Sequence, residues 1–106
     1  AMEGLERIRP QVDGISVGGN REFNPGWHAA LDLANIMTVS EALVRAARER
    51  KESRGAHSRT DYTEKDPEWG KVNLVVRKGG DGEMEIRKEP IPEMRQELKD
   101  IIEEMG

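Results

Sequence analysis

Residues 52–59, ESRGAHSR, set two guanidinium groups and an imidazole (Arg54, His57 and Arg59) around the dipeptide Gly55-Ala56. Arginines at this spacing can grip an anion through paired N–H donors, and histidine is the side chain best suited to moving a proton near neutral pH. The same residues can equally build a turn whose charges dock against another surface. A general base needs an oriented partner and a substrate pocket, and nothing beside His57 in the sequence supplies either. The wider cluster of Arg45, Arg48, Arg50, Lys51, Arg54 and Arg59 sets six cations against Glu49 and Glu52. It contains none of the aromatic side chains on which unpaired nucleic-acid bases stack. A solvated helix end with docking charges is the simpler reading.

The remaining candidates are weaker. His28 and His57 lie 29 residues apart with no third ligand at a useful spacing, so no metal centre is expected. His28 reads as a half-exposed residue in the first turn of a helix. Gly79-Gly80-Asp81-Gly82 resembles a phosphate loop only in composition. No lysine–serine pair follows it, and it joins two strands where a phosphate loop would open a helix. Glu103-Glu104 belong to the polar side of a terminal helix. Residue by residue, no complete active site is present: catalytic, cofactor-binding and metal-ligating residues are all expected to be none.

Composition narrows the class further. The chain has 106 residues, 35% hydrophobic and 36% charged, with four aromatics: Phe23, Trp27, Tyr62 and Trp69. That is lean for a free-standing core and ordinary for part of something larger. A net charge of −4 argues against general nucleic-acid binding, which draws on a broad basic surface. The lack of cysteine excludes disulfides, thiolate nucleophiles and thiolate-bound zinc. No apolar run approaches the ~20 residues of a membrane span, and no secretory leader is recognisable. A cytoplasmic protein with no direct membrane insertion is expected. Ala1 ahead of Met2 reads as a tag-removal scar, with the start at Met2.

The elements that must position the ESRGAHSR run can be placed from periodicity. Leu5, Ile8, Val12 and Ile15 predict a helix over residues 3–16, with a kink or break at Pro10. Asn24-Pro25 is the clearest helix start, an N-cap followed by proline at the first helical position. From it, two adjoining apolar faces predict a long helix from Pro25 to about Glu52, packed by more than one neighbour. Its basic last turns suit the negative end of the helix dipole, and Gly55 is expected just past its end. Residues 60–70 read as an ordered polar loop. Alternation at Val72, Leu74 and Val76, then at Met84 and Ile86 across a glycine-rich tip, predicts a β-hairpin. Met94, Leu98, Ile101, Ile102 and Met105 mark a final amphipathic helix. The expected class is mainly α: a helical-bundle segment over residues 3–60, then a loop, hairpin and C-terminal helix over 61–106, forming one structural unit.

One family resemblance emerges from these pieces. Glu22-Phe23-Asn24, then Leu31-Asp32-Leu33-Ala34-Asn35-Ile36-Met37, then Glu52 through Arg59, occur in the order seen in one group of flavoproteins. Residues 22–59 resemble the C-terminal helical region of the flavoprotein subunit of succinate dehydrogenase and fumarate reductase. Asp61-Tyr62 and the Asp66–Trp69 spacing continue the likeness, and Gly4 to Ile8 resembles the end of an earlier bundle helix. The likeness covers about residues 3–77 well and the tail loosely. Lys51 stands where a small or polar residue is common. L-aspartate oxidases share the arginine–glycine turn but usually continue differently, so Ala56-His57-Ser58-Arg59 favours the succinate/fumarate branch.

What this resemblance implies is largely what lies elsewhere. In that family the FAD-binding domain and the dicarboxylate-binding and proton-delivering residues lie upstream, and none maps onto this chain. The first helix of the usual three-helix bundle is also not represented. The chain is therefore expected to be an inactive C-terminal domain that supports succinate/fumarate interconversion. FAD would belong to the parent protein and not to this segment. The expected partners are the flavin domain of the same polypeptide and an iron–sulfur subunit, with the parent held at the cytoplasmic face of the membrane through other subunits. Arg54, His57 and Arg59 would be interdomain docking residues, and the isolated chain would self-associate through its uncovered helix. The competing expectations are an autonomous interaction module using the basic helix end, or the equivalent domain of L-aspartate oxidase.

Overall fold

A computed structural model describes residues 1–106. Its elements run α1 (Met2–Asp13), α2 (Pro25–Glu49), a 3-10 turn (Trp69–Lys71), β1 (Val72–Lys78), β2 (Met84–Pro90) and α3 (Gln96–Met105). Three helices and one antiparallel hairpin agree with a mainly α reading. Each element nevertheless differs in extent from its sequence expectation.

α1 runs through Pro10 without a break and ends at Asp13, three residues short of the expected Ser16. Proline removes only its own donor, and the Pro10 carbonyl still accepts from Gly14 N at 3.1 Å. α2 begins where the N-cap signal places it. Asn24 Oδ1 accepts from Gly26 N at 3.1 Å and Trp27 N at 3.3 Å, satisfying two of the orphan donors at a helix start. Its Nδ2 donates to the Gly18 and Asn20 carbonyls at 3.0 and 2.8 Å, so the same side chain braces the incoming bend. Replacing Asn24 with alanine is expected to cost about 1–2 kcal/mol in urea unfolding, since both roles vanish together.

α2 stops at Glu49, short of the expected Glu52. Arg50 is extended, with φ −72° and ψ 107°. Nor is Gly55 the glycine that ends the helix. It is the first central residue of a separate two-residue turn, closed by Arg54 N to His57 O at 2.8 Å and His57 N to Arg54 O at 3.0 Å. Gly55 has φ +58° while Ala56 is not left-handed, the pattern of a primed turn that requires glycine first.

β1 and β2 pair in register from Val72 opposite Pro90 to Lys78 opposite Met84, each starting where alternation places it and running further at its C-terminal end. Arg77 faces Glu85 across the ladder at 3.0 Å. Gly82, at φ +86°, turns the tip. Two strands are marginal alone in water. These lean on the end of α2 through Lys88, 3.9 Å from Glu49, and through Trp69.

α1 packs on α2 with Val12 and Met37 buried, and Arg9 and Arg45 both pair with Glu41. The buried apolar core is only Val12, Met37 and Trp69. No residue of α3 is buried. The radius of gyration is 19.9 Å, against about 13 Å for a compact chain of ~100 residues. The molecule is elongated, with Leu31, Ile36, Val39 and Leu43 of α2 exposed.

Candidate functional site

The one fully buried side chain is a charge: Glu52, at 0% exposure. The chain is extended at Arg50 and bends at Glu52, and Arg50 and Arg54 both reach the carboxylate. Arg50 Nη1 lies 2.6 Å and Arg54 Nε 2.8 Å from Glu52 Oε1, and Asp66 N donates to Oε2 at 2.9 Å. Each arginine then extends the network. Arg50 donates to the Trp69 carbonyl at 3.0 Å and the Val72 carbonyl at 3.4 Å; Arg54 donates to the Asp66 carbonyl at 3.0 Å. A buried carboxylate thereby ties the end of α2 to the start of β1.

Above all the Arg54 guanidinium holds the Glu52 carboxyl at a pKa of about 2, with the Asp66 N–H and Arg50 acting the same way and burial opposing them. The Arg54 pKa is raised in turn, chiefly by its hydrogen bond to Glu52. Trp69, 8% exposed, has the Arg50 guanidinium 5.3 Å and the Lys88 ammonium 4.0 Å from its ring centroid. The ring carries cations from two elements at once.

Arg59 closes the helix end. Its Nη1 donates to the carbonyls of Ala47, Arg48 and Arg50 at 3.3, 2.7 and 3.0 Å, which capture acceptors that a helix leaves unpaired at its C-terminus. The other edge of the guanidinium forms a two-point pair with Asp61 at 2.8 and 2.6 Å. That pair is the main reason the Asp61 pKa is lowered and the Arg59 pKa raised. Tyr62 lies beneath the same group, 4.8 Å from guanidinium carbon to ring centroid. Ser53 fastens the returning chain: its Oγ donates to the Tyr62 carbonyl at 2.6 Å and accepts from Arg59 N at 2.8 Å.

The three sequence-flagged residues therefore occupy one turn but do not converge on an open site. Arg54 is engaged with Glu52 and Asp66, Arg59 with α2 and Asp61. His57 Nε2 lies 3.3 Å from the Arg50 carbonyl, with no carboxylate to orient the ring as a base. His28, stacked edge-on against Trp27, sits at the opposite end of α2, and no cluster of ligating side chains could hold a metal ion. No buried side-chain donor or acceptor is left without a partner. Of the six cations in the basic cluster, only Arg48 and Lys51 lack an ion-pair partner or carbonyl, which argues against a free basic patch. Sequence reasoning passed over Glu52, the hub. The signal was Arg50-x-Glu52-x-Arg54, an alternation that a helical reading disperses.

Such a clasp, closed on itself at the end of a half-covered helix, belongs to a module of helices and one hairpin whose charged turn is tied up in its own contacts. The family described as fumarate reductase flavoprotein C-term matches residues 1–101, and the chain belongs to that family. The match reaches past residue 77, where the sequence likeness thinned, through the hairpin and into α3. The chain is 40% identical over 82 residues to the succinate dehydrogenase flavoprotein subunit of Coxiella burnetii, covering 73% of this chain and 14% of that protein. It is 32% identical over 91 residues to the fumarate reductase flavoprotein subunit of Mycobacterium tuberculosis, covering 82% and 16%. L-aspartate oxidase of Vibrio cholerae is 44% identical over only 48 residues, 45% of this chain and 9% of that protein, so the succinate/fumarate branch is favoured. The chain spans 14–16% of the length of the first two relatives. No solved structure matches it. No helix is long and apolar enough to cross a membrane.

Proposed function

We propose that this chain supports an FAD-dependent dicarboxylate oxidoreductase without taking part in its chemistry. In the parent, FAD exchanges hydride with the succinate–fumarate couple, and an iron–sulfur subunit passes electrons to a membrane quinone pool. The observation that carries the structural role is the buried Glu52 clasp: it spends the arginines of ESRGAHSR on the chain's own architecture and fixes how the hairpin leaves α2. FAD is held elsewhere in the parent, since the residues here do not fit it. The glycine-rich run joins two strands, and Arg54 and Arg59 already have their acceptors. Residues 3–60 and 61–106 act as one unit, joined by the bonds from Arg50, Ser53 and Arg54. The outward edges of Arg54, His57 and Arg59 contribute secondary docking contacts to the flavin domain or the iron–sulfur subunit. The parent sits at the cytoplasmic face of the membrane through its partners.

Two measurements test this. The purified chain mixed with FAD and succinate or fumarate should retain no flavin and show no turnover; yellow co-purification or activity refutes the support role. The reading frame upstream of Met2 should encode a flavin-binding domain. The uncovered face of α2 also leads to self-association of the isolated chain, because exposed apolar surface of this kind finds a partner. Sedimentation should give a dimer that dissociates on dilution, and a monomer at the highest concentration would show that the face is tolerated in water.

A further inference from the structure

We propose that β1 pairs edge to edge with β1 of a second copy of this chain, antiparallel about Val75, joining two hairpins into one continuous sheet. The inference goes beyond the function proposed above and does not depend on it. Gly79 N donates to the Glu83 carbonyl at 2.7 Å and Ile91 N to the Lys71 carbonyl at 2.9 Å, so the odd-numbered residues of the hairpin bond across its ladder. Bonding alternates along antiparallel strands, so the N–H and C=O groups of Val72, Leu74, Val76 and Lys78 point outward at the β1 edge. Arg50 reaches the Val72 carbonyl, but no hydrogen bond from elsewhere in the chain meets the main chain of Leu74, Val76 or Lys78.

The two edges of the hairpin are not equivalent. β2 carries Glu85, Arg87, Lys88 and Glu89 and ends at Pro90, which has no N–H to offer. Charges and proline are common guards of an open edge. β1 is uncharged from Val72 to Val76 and rich in β-branched side chains. Its edge is the unguarded one, and a two-stranded sheet is marginal without further strands. A helix pairs its own main chain along its axis and cannot satisfy such an edge, whereas a strand can.

β1 is also its own complement. With Val75 facing Val75 of the second copy, Leu74 faces Val76 and Val76 faces Leu74, each pair exchanging both main-chain bonds. Arg77 then falls opposite Asn73, so no like charges meet. The two-fold axis stands normal to the sheet. Leu74 and Val76 of both copies therefore stay on the side where Val76 and Met84 share a cleft with Leu5 and Ala42. Sliding one strand by two residues sets Arg77 against Lys71 or Val75 of the second copy, a like charge or an apolar side chain. One register is selected.

The chain has no cysteine, so introduced thiols report that register. Val75→Cys should link two copies on oxidation, because residues facing each other between bonded pairs hold their Cα atoms about 4.5 Å apart, within disulfide reach. Asn73→Cys should not link, since the two positions lie about 13 Å apart along the strands. Absence of the link at 75, or a link at 73, overturns the proposal. Val39→Glu removes the exposed α2 face from the measurement. In sedimentation this variant should still form a dimer, and a monomer would overturn the pairing. Adding Val75→Glu sets two carboxylates against each other at the two-fold and should raise the dissociation constant at least about tenfold. Within one hairpin the new carboxylate faces Arg87, so the melting temperature of the diluted monomer should not fall. In the full-length flavoprotein Val75→Cys should link as well. A full-length protein that stays unlinked while the chain links would assign the edge to a strand of the parent, which also overturns the proposal.

Discussion

Glu52→Ala should lower the melting temperature of the chain by more than about 10 °C, the largest effect expected of any single substitution outside the apolar core. The change removes one anion and strands two guanidinium groups, Arg50 and Arg54, that were placed to meet it. It also leaves Asp66 N without its acceptor. A buried ion pair is not in itself strong support, since desolvation offsets much of the attraction, but breaking one from a single side exposes the uncompensated cost. Glu52→Gln keeps the shape and an acceptor while placing an NH2 group near two cations, and should fall between alanine and the native residue. Thermal unfolding followed by far-UV circular dichroism would rank the three. Equal melting temperatures would mean that the carboxylate holds nothing together.

Acid should reproduce that loss gradually. The Glu52 carboxyl titrates at about 2 in the fold against an ordinary 4.5, so the unfolded chain takes up its proton first as pH falls. The stabilisation is complete above roughly 4.5 and disappears as pH drops towards 2. Asp61 and Glu85, also lowered, act in the same direction through Arg59 and through Arg77 with Arg87. Glu52→Gln should flatten the part of the stability profile between those limits and leave the Asp61 and Glu85 parts in place.

Trp69→Ala is the second large effect, about 3 kcal/mol or more in denaturant unfolding. Trp69 is one of three buried apolar side chains in the molecule, so no neighbouring core can collapse into the space. The ring bears Arg50 from the helix end and Lys88 from β2, and its removal should loosen the hairpin from α2 before the α1–α2 contact responds. Hydrogen exchange should show faster exchange in β1 and β2 with little change around Val12 and Met37. The carbonyl of residue 69 remains available to Arg50, so Trp69→Ala and Glu52→Ala weaken the same joint through separable contacts. Uniform loss of protection along the whole chain would mean that the hairpin and the helices unfold as one.

Much of the architecture was legible because its causes are local. Asn24-Pro25 started a helix since both act on the first turn by themselves. Alternation across a glycine-rich tip specified a hairpin, and the periodicity after Pro92 a helix. The ends were misplaced where tertiary partners intervened. α2 surrenders residues 50–52 to a path that is extended at Arg50 and bends at Glu52, bringing Arg50 and Arg54 onto one carboxylate. A helix would set neighbours two apart about 200° from one another. Periodicity extrapolates the helix, and only the incoming Asp66 and Trp69 make leaving it favourable.

The sequence by itself determined the family, the order of elements and the position of the charged turn, because these follow from residue order and short-range stereochemistry. Whether that turn was an open site or a closed one was decided by the tertiary structure alone. Arginines at 54 and 59 look equally available in either case. Their acceptors, the Asp66 carbonyl and the carbonyls of Ala47 and Arg48, are main-chain atoms that every residue carries, so nothing in the side-chain sequence marks which of them the fold will bring within reach.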